Sequence, residues 1–271
     1  MLRQLCRILP VAGLLLAAAP AARAADFERI TIPSADGTQL VTRIAKPRGN
    51  GPFPAIVLLH GCGGILNANG GVDARGVDWT DRFVAAGYLV ALPDSFGSRN
   101  KGSQCAVPPD QQVRPWVERK ADVVGLQRWL AQQPNVDRAR IALMGWSHGG
   151  MTTVFSLNVP GYAAFVALYP ACGGALRNRG PLPNVPTLFL LGEADDWTPA
   201  GPCKEFAALS PRITMHAYPG AHHQFDWPNM PVRQISGVGT ASGRATVGTD
   251  SAARNDAIQR VPAFLASALR R

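Results

Sequence analysis

A serine stands between two glycines in the run Gly145-Trp146-Ser147-His148-Gly149. A largely apolar segment, residues 140–144, precedes this run, and residues 151–157 can continue it as a buried helix. A strand, a Gly-x-Ser-x-Gly turn and a helix form a nucleophile elbow, whose strained backbone lifts the serine hydroxyl out of the sheet edge. Glycine is needed at positions 145 and 149 because a bulkier side chain there would collide with the strand or the helix. The pattern predicts that Ser147 is a nucleophile.

Two downstream pairs of residues could activate this serine. A serine hydroxyl needs a base to take its proton and a carboxylate to orient that base. Residues 195 and 196 are both aspartates and follow the apolar run 187–191, whereas residues 222 and 223 are both histidines and follow the run 213–218. The chain order serine, acid, histidine matches a known order of the catalytic triad. The residues alone leave open which member of each pair takes part.

A glycine-rich segment upstream supplies candidate donors for an oxyanion hole. The apolar run 55–59 leads into His60-Gly61-Cys62-Gly63-Gly64. An oxyanion hole needs two main-chain N–H groups that are fixed before negative charge develops. We expect one from His148, at the start of the elbow helix, and the other from Cys62, with Gly63 as the alternative.

Buried strands alternate with helices along the chain, which predicts an α/β fold with a mostly parallel sheet and helices on both faces. The first two strands read as an antiparallel hairpin at the sheet edge. Residues 224–250 show no clear periodicity and are predicted to form a surface excursion or partial lid. We expect one domain over residues 25–271. The predicted strands cover residues 27–32, 38–44, 55–59, 88–92, 140–144, 163–169, 187–191 and 213–218, and the predicted helices residues 79–86, 113–133, 151–157, 201–209 and 252–269.

The N-terminal segment is typical of a secretory signal peptide. Two arginines precede the apolar stretch 8–19, which ends in the small-residue site Ala22-Arg23-Ala24. Cleavage after Ala24 would remove residues 1–24, so we expect an exported protein, periplasmic or secreted, without a stable membrane anchor. The alternative, an N-terminal membrane anchor, is less favoured because the stretch is short for a membrane span.

Four cysteines remain after that cleavage, an even number that suggests two disulfides in an exported protein. From their positions near one edge of the sheet we predict the pairs Cys62–Cys105 and Cys172–Cys203. The alternative is four free, buried thiols.

The formal net charge is +9, and three of the arginines behind it lie in the predicted signal peptide. The others are scattered, without a basic patch interleaved with aromatic residues, so nucleic-acid binding is a poor inference. Adjacent histidine side chains diverge, and no metal-ligand spacing is present. We expect no metal, no cofactor and a small-molecule substrate.

These motifs resemble the dienelactone hydrolase family of α/β-hydrolases over about residues 30–230. The resemblance implies an α/β-hydrolase fold, selects Asp195 as the acid because of the proline four residues later, and selects His223 as the base because of the phenylalanine two residues later. Family members with a cysteine nucleophile have it where this chain has Ser147, a departure that favours a general serine esterase. The segments that carry the resemblance are residues 60–64, 93–96, 145–150, 192–199 and 221–225.

Further side chains could contact a substrate. His60, Phe96 and Trp197 are the pocket candidates. Ordinary core packing explains Phe96 and Trp197 equally well, and His60 is also suited to shaping the oxyanion loop. Arg99 follows a predicted strand end and could meet a substrate carboxylate, but a solvated surface arginine is the better interpretation.

The combined prediction is an exported serine hydrolase that cleaves carboxylic esters or lactones through an acyl-enzyme. One alternative is a peptidase or amidase that uses the same triad. Another is a non-catalytic relative that binds a ligand in the same pocket, although such relatives usually lack a triad residue and this chain lacks none.

Overall fold

The computed structural model of the protein describes residues 26–108 and 110–270. The predicted signal peptide, residues 1–24, lies outside the described residues. In chain order the elements are β1 (Glu28–Pro33), β2 (Gln39–Ala45), β3 (Phe53–Leu59), α1 (Ala74–Ala85), β4 (Leu89–Pro93), α2 (Glu118–Ala131), β5 (Val136–Trp146), α3 (His148–Phe155), β6 (Ala164–Leu168), α4 (Gly173–Arg177), β7 (Thr187–Gly192), α5 (Gly201–Ala207), β8 (Ile213–Tyr218), β9 (Arg233–Ser236), β10 (Arg244–Val247) and α6 (Ser251–Ala268).

Eight strands form one sheet in the order β1-β2-β4-β3-β5-β6-β7-β8. The β1–β2 hairpin is antiparallel and joins the sheet through an antiparallel β2–β4 pair. The remaining six strands, β3 to β8, are parallel to one another. The predicted edge hairpin and the mostly parallel sheet are therefore confirmed. Leu59 at the end of β3 pairs with Gly145 near the end of β5, which puts the glycine-rich loop beside the elbow.

Helices cover both faces of this sheet, as predicted. On one face, α1 and α6 contribute Trp79, Phe83, Val261 and Leu265 to the buried core. On the other face, α2, α3 and α5 pack their apolar side chains against the strands. These include Val123, Leu126, Leu130, Val154 and Phe206. Because the central parallel strands β3, β4 and β6 are covered on both sides, their sequences are continuously apolar.

Among the predicted helices, α1 and α2 begin farthest from their predicted starts. Helix α1 starts at Ala74, since the Asp73 carboxylate accepts a hydrogen bond from the Gly76 N–H at 2.7 Å and caps the first turn. Helix α2 starts at Glu118 and not at residue 113. The reason is that the Val113 N–H is bonded at 3.0 Å to the side chain of the buried Gln104, which holds this segment in a loop.

The segment 224–250 contains regular structure that its sequence did not reveal. Strands β9 and β10 form an antiparallel hairpin, which periodicity missed because the strands are only four residues long and β9 is mostly exposed. The hairpin is attached to the acid loop, where the Asp196 carboxylate accepts hydrogen bonds from the N–H and hydroxyl of Thr246 at 2.7 and 2.9 Å.

Both predicted disulfides, Cys62–Cys105 and Cys172–Cys203, are present. The second is fully buried and joins the beginning of α4 to α5. Within the described ranges, no helix has the length and apolar character needed to span a bilayer.

Replacing Cys172 and Cys203 together with alanine should lower the free energy of unfolding. The bond closes a loop with a sequence separation of 31 residues, and releasing a loop of that length costs about 3 kcal/mol of stability. Urea unfolding of the double variant and the wild type measures the difference. An unchanged unfolding midpoint would contradict this assignment of the disulfide.

Candidate active site

Ser147 occupies the sharp turn between β5 and α3. Its φ of +54° lies in the left-handed region, which is strained for a residue with a side chain. A Cβ atom at Gly145 would lie 2.2 Å from the Gly149 carbonyl oxygen, and one at Gly149 would lie 2.1 Å from the Leu59 carbonyl oxygen. Only glycine fits either position. The steric reason given for the Gly-x-Ser-x-Gly pattern therefore holds in the structure.

The structure brings Ser147, His223 and Asp195 into one chain of hydrogen bonds. The Ser147 Oγ lies 2.9 Å from the His223 Nε2, and the His223 Nδ1 lies 2.7 Å from the Asp195 Oδ2. Since a carboxylate accepts hydrogen bonds, the imidazole proton is on Nδ1 and the free lone pair of Nε2 faces the serine hydroxyl. This is the arrangement in which a histidine can take the serine proton.

Asp195 is held as an anion by its surroundings. Its Oδ1 accepts the main-chain N–H groups of Trp197 and Thr198 at 2.9 and 2.8 Å, and the Thr198 hydroxyl lies 2.9 Å from Oδ2. Burial raises the pKa of Asp195, but His223 and the Thr198 donors outweigh it, so the pKa lies below its ordinary value. The His223 ring is fixed between Tyr169 and Trp197, with ring centroids 4.7 and 4.8 Å away.

Asp196 and His222, the other members of the two pairs, do not take part in this chain of hydrogen bonds. Asp196 binds Thr246 of the β9–β10 hairpin. The His222 Nδ1 lies 2.8 Å from the Ala194 carbonyl oxygen, so this ring is turned away from the serine.

The glycine-rich loop after β3 lies against Ser147. A Cβ atom at Gly61 would lie 3.6 Å from the Ser147 Cβ. Cys62 and His148 both border the same cavity as Ser147. The His148 N–H belongs to the first turn of α3, where N–H groups have no partner within the helix. Both expected oxyanion donors therefore belong to residues beside the reactive hydroxyl.

His60 fixes the peptide group that carries the Cys62 N–H. Its Nδ1 lies 2.8 Å from the Gly61 carbonyl oxygen, and its Nε2 accepts the Ser95 N–H at 3.2 Å. A carbonyl only accepts, so Nδ1 carries the proton. Burial and the nearby Arg119 guanidinium hold the pKa of His60 well below its usual value, and the ring is neutral. Because the Gly61–Cys62 peptide is planar, fixing its carbonyl also fixes its N–H.

Two cavities meet at Ser147. The smaller, about 180 Å³, is bordered by Trp116, Met151 and Trp197, and the larger, about 400 Å³, by Arg75 and Trp227. The Cys62–Cys105 disulfide borders both. Two cavities that share Ser147 can hold the two halves of a substrate that is cleaved between them.

The three pocket candidates occupy different positions. Trp197 borders the smaller cavity. Phe96 is buried beneath the site, packed edge-on against the rings of His60 and His148, and neither Phe96 nor His60 borders the two cavities at Ser147. Arg99 is neither a substrate contact nor a solvated surface arginine, because it is mostly buried and pairs with Asp122 at 2.6 Å and Asp36 at 2.8 Å.

A buried carboxylate that sequence reasoning missed, Asp226, binds residues next to Ser147 and His223. Asp226 Oδ2 accepts the indole N–H groups of Trp79 and Trp146, both at 2.8 Å, and its Oδ1 accepts the Tyr169 hydroxyl at 2.5 Å. Trp146 directly precedes the nucleophile, and Tyr169 packs on His223. The Tyr169 hydroxyl in turn accepts a hydrogen bond from Arg75 at 2.8 Å. The only sequence signal for Asp226 was its position three residues after His223.

No cluster of three or more metal-ligating side chains occurs in the part of the chain that the structure describes. The groups at the site are a hydroxyl, a base with its orienting carboxylate, and two main-chain donors. Together they can perform nucleophilic acyl transfer.

Sequence comparison with known proteins finds a matching family model and a related protein. A sequence model described as the dienelactone hydrolase family matches residues 40–269. A candidate carboxymethylenebutenolidase of Azospirillum brasilense is 28% identical over 209 residues, which cover 72% of this chain and 86% of that protein.

Solved structures share the α/β-hydrolase fold. A candidate dienelactone hydrolase of Klebsiella pneumoniae superposes with a TM-score of 0.64 at 21% identity, over 90% of this chain and 99% of that one. Porphyromonas gingivalis dipeptidyl peptidase 4 gives a TM-score of 0.66 at 21% identity, over 90% of this chain but only 36% of that longer one.

Asp226→Asn should destabilise the protein strongly. The amide keeps the size of the side chain but turns an NH2 group toward buried N–H or O–H donors, which costs about 3 kcal/mol. Urea unfolding measures the loss. Asp256→Asn is the matched control, because Asp256 also binds a tyrosine hydroxyl and an arginine but is partly exposed, and it should cost less than about 1 kcal/mol. Equal losses in the two variants would contradict the role given to Asp226.

Proposed function

The chain belongs to the dienelactone hydrolase family, and we propose that it is an exported serine hydrolase that cleaves carboxylic esters or lactones through an acyl-enzyme. The observation that carries the proposal is the continuous hydrogen-bond chain from Ser147 through His223 to Asp195 at the junction of two cavities.

The proposed reaction begins with attack of the Ser147 Oγ on the ester carbonyl carbon, while His223 Nε2 takes the hydroxyl proton. Asp195 stabilises the imidazolium that forms and stays ionised itself. The C–O bond to the leaving group breaks, and His223 passes its proton to the departing alkoxide. Water then attacks the acyl-enzyme with His223 as the base, which releases the acid and restores Ser147.

The negative charge on the former carbonyl oxygen would be stabilised by the N–H groups of Cys62 and His148. Donors fixed in this way act mainly on the transition state, because they need no reorganisation when the charge develops. Both donors are restrained: Cys62 by His60 and the disulfide, and His148 by its place in α3.

Export is supported by the two disulfides, since such bonds persist in oxidising compartments. The N-terminal sequence, with its predicted cleavage after Ala24, points to the same compartment. We therefore infer that the mature enzyme acts in the periplasm or outside the cell on a small-molecule substrate and that residues 25–271 form one domain.

Ser147→Ala should reduce kcat on 4-nitrophenyl acetate by at least about 1,000-fold, because the nucleophile is removed while the other groups remain. Its thermal unfolding should stay close to that of the wild type. Wild-type turnover by this variant would rule out the mechanism. A fluorophosphonate probe that fails to label Ser147 in folded wild-type protein would favour a non-catalytic, ligand-binding role.

His60→Phe should lower kcat on the same ester by about tenfold or more with KM little changed. The phenyl ring keeps the contact with Phe96 but cannot donate to the Gly61 carbonyl, so the Cys62 N–H loses its fixed direction. His216→Phe is the control, since His216 lies partly exposed on β8, away from the site, and its kcat should match the wild type. An unchanged kcat in His60→Phe would show that the imidazole does not orient the donor.

A further inference from the structure

Arg119 lies in α2 with its side chain fully buried beneath the elbow. Its NH1 donates to the His148 Nδ1 at 2.8 Å. The guanidinium carbon also lies 5.1 Å from the centre of the Phe96 ring. A charged group therefore reaches the residue whose main-chain N–H is the expected oxyanion donor.

This charge has little local compensation. Among the described residues, the Arg119 Nε and NH2 have no hydrogen-bond partner. Asp122 is on the same helix, but its two carboxylate oxygens bind Arg99 at 2.6 and 3.0 Å. The other buried arginine at the site, Arg75, differs because it donates to a tyrosine that is bonded to the Asp226 carboxylate.

Burying a cation against a neutral imidazole opposes folding, since the charge loses its hydration. The Asp122 and Asp94 carboxylates offset only part of this cost, and neither forms a hydrogen bond with Arg119. An apolar side chain of similar length would fill the same space without that penalty. Burial lowers the pKa of Arg119 to about 9, which still leaves the side chain charged at neutral pH. A costly buried charge beside a reactive group is a recognised sign of a functional role.

The contact also defines the state of His148. A guanidinium only donates hydrogen bonds, so the His148 Nδ1 carries a lone pair and the ring is neutral. Burial and Arg119 hold the pKa of His148 well below its ordinary value, in agreement with a neutral ring. The ring is packed edge-on against Phe96, with centroids 5.5 Å apart, so Arg119 and Phe96 together fix the first residue of α3.

We propose that Arg119 is a positioning residue for the oxyanion hole: it holds His148 in place and supplies a buried positive charge behind the His148 N–H. The inference rests on the proposed function, because the charge assists a reaction in which negative charge develops at that N–H. It assigns this role to a side chain of α2 that neither the triad nor the oxyanion loop includes.

The test compares Arg119→Met, Arg119→Gln and Arg119→Lys with the wild type. Each variant is assayed for kcat and KM on 4-nitrophenyl acetate, for its rate of labelling by a fluorophosphonate probe, and for thermal unfolding. Lys120→Met is the matched control, because it removes one positive charge from the neighbouring position of the same helix, where the ammonium binds Asn158 at the surface.

Arg119→Met should lose at least tenfold in kcat and in labelling rate, with KM within about twofold and a Tm equal to or above that of the wild type. Arg119→Lys should recover part of the rate, and Lys120→Met should match the wild type. If Arg119→Met does not fold, Arg119→Gln carries the same expectation.

A wild-type kcat in Arg119→Met would overturn the proposal. The proposal would also be overturned if Arg119→Met lost activity together with a lower Tm and Arg119→Lys lost as much. That combination is expected of a side chain with a purely structural role. If the wild type is labelled by the probe but hydrolyses no ester, the proposed substrate class fails, and Arg119 is still tested by the labelling rates.

Discussion

The active site depends on the close approach of the start of α3 to the end of β3. A Cβ at Gly149 would lie 2.1 Å from the Leu59 carbonyl oxygen and 2.6 Å from that of His60. This contact exists only because the residue is glycine, and it brings the elbow against the loop that begins at His60. The strained turn at Ser147 and both expected oxyanion donors therefore result from one packing constraint.

Around this contact the protein buries polar groups that a purely structural core would avoid. Asp226 is satisfied by three donors that come from α1, β5 and the end of β6. It holds Trp146, next to the nucleophile, and Tyr169, next to His223. One carboxylate therefore ties together the neighbours of Ser147 and His223, and these buried hydrogen bonds help to hold the strained turn at Ser147.

The parts of the fold that could be predicted are those that depend on residues close together in the sequence. Continuously apolar strands and the Gly-x-Ser-x-Gly turn located the sheet and the elbow, since a strand covered on both faces has no polar position. The geometry also joins the residues that the family resemblance selected, Asp195 and His223.

What was missed depends on partners that are distant in sequence. Asp226 meets Trp79 across 147 residues, and no local pattern indicates such a contact. Phe96 was a pocket candidate, but it is buried and packs edge-on against the rings of His60 and His148. The start of α2 was wrong for a more local reason, because the side chain of Gln104, nine residues earlier in the same loop, binds the Val113 N–H.

The most direct test of the account is to trap the covalent intermediate. Mature protein is mixed with a 4-nitrophenyl ester of a slowly released acid, quenched within the first turnover and examined by intact-protein and peptide mass spectrometry. The account predicts one acyl group per chain, attached to Ser147. Release of 4-nitrophenol without any adduct, or an adduct on another residue, would contradict it.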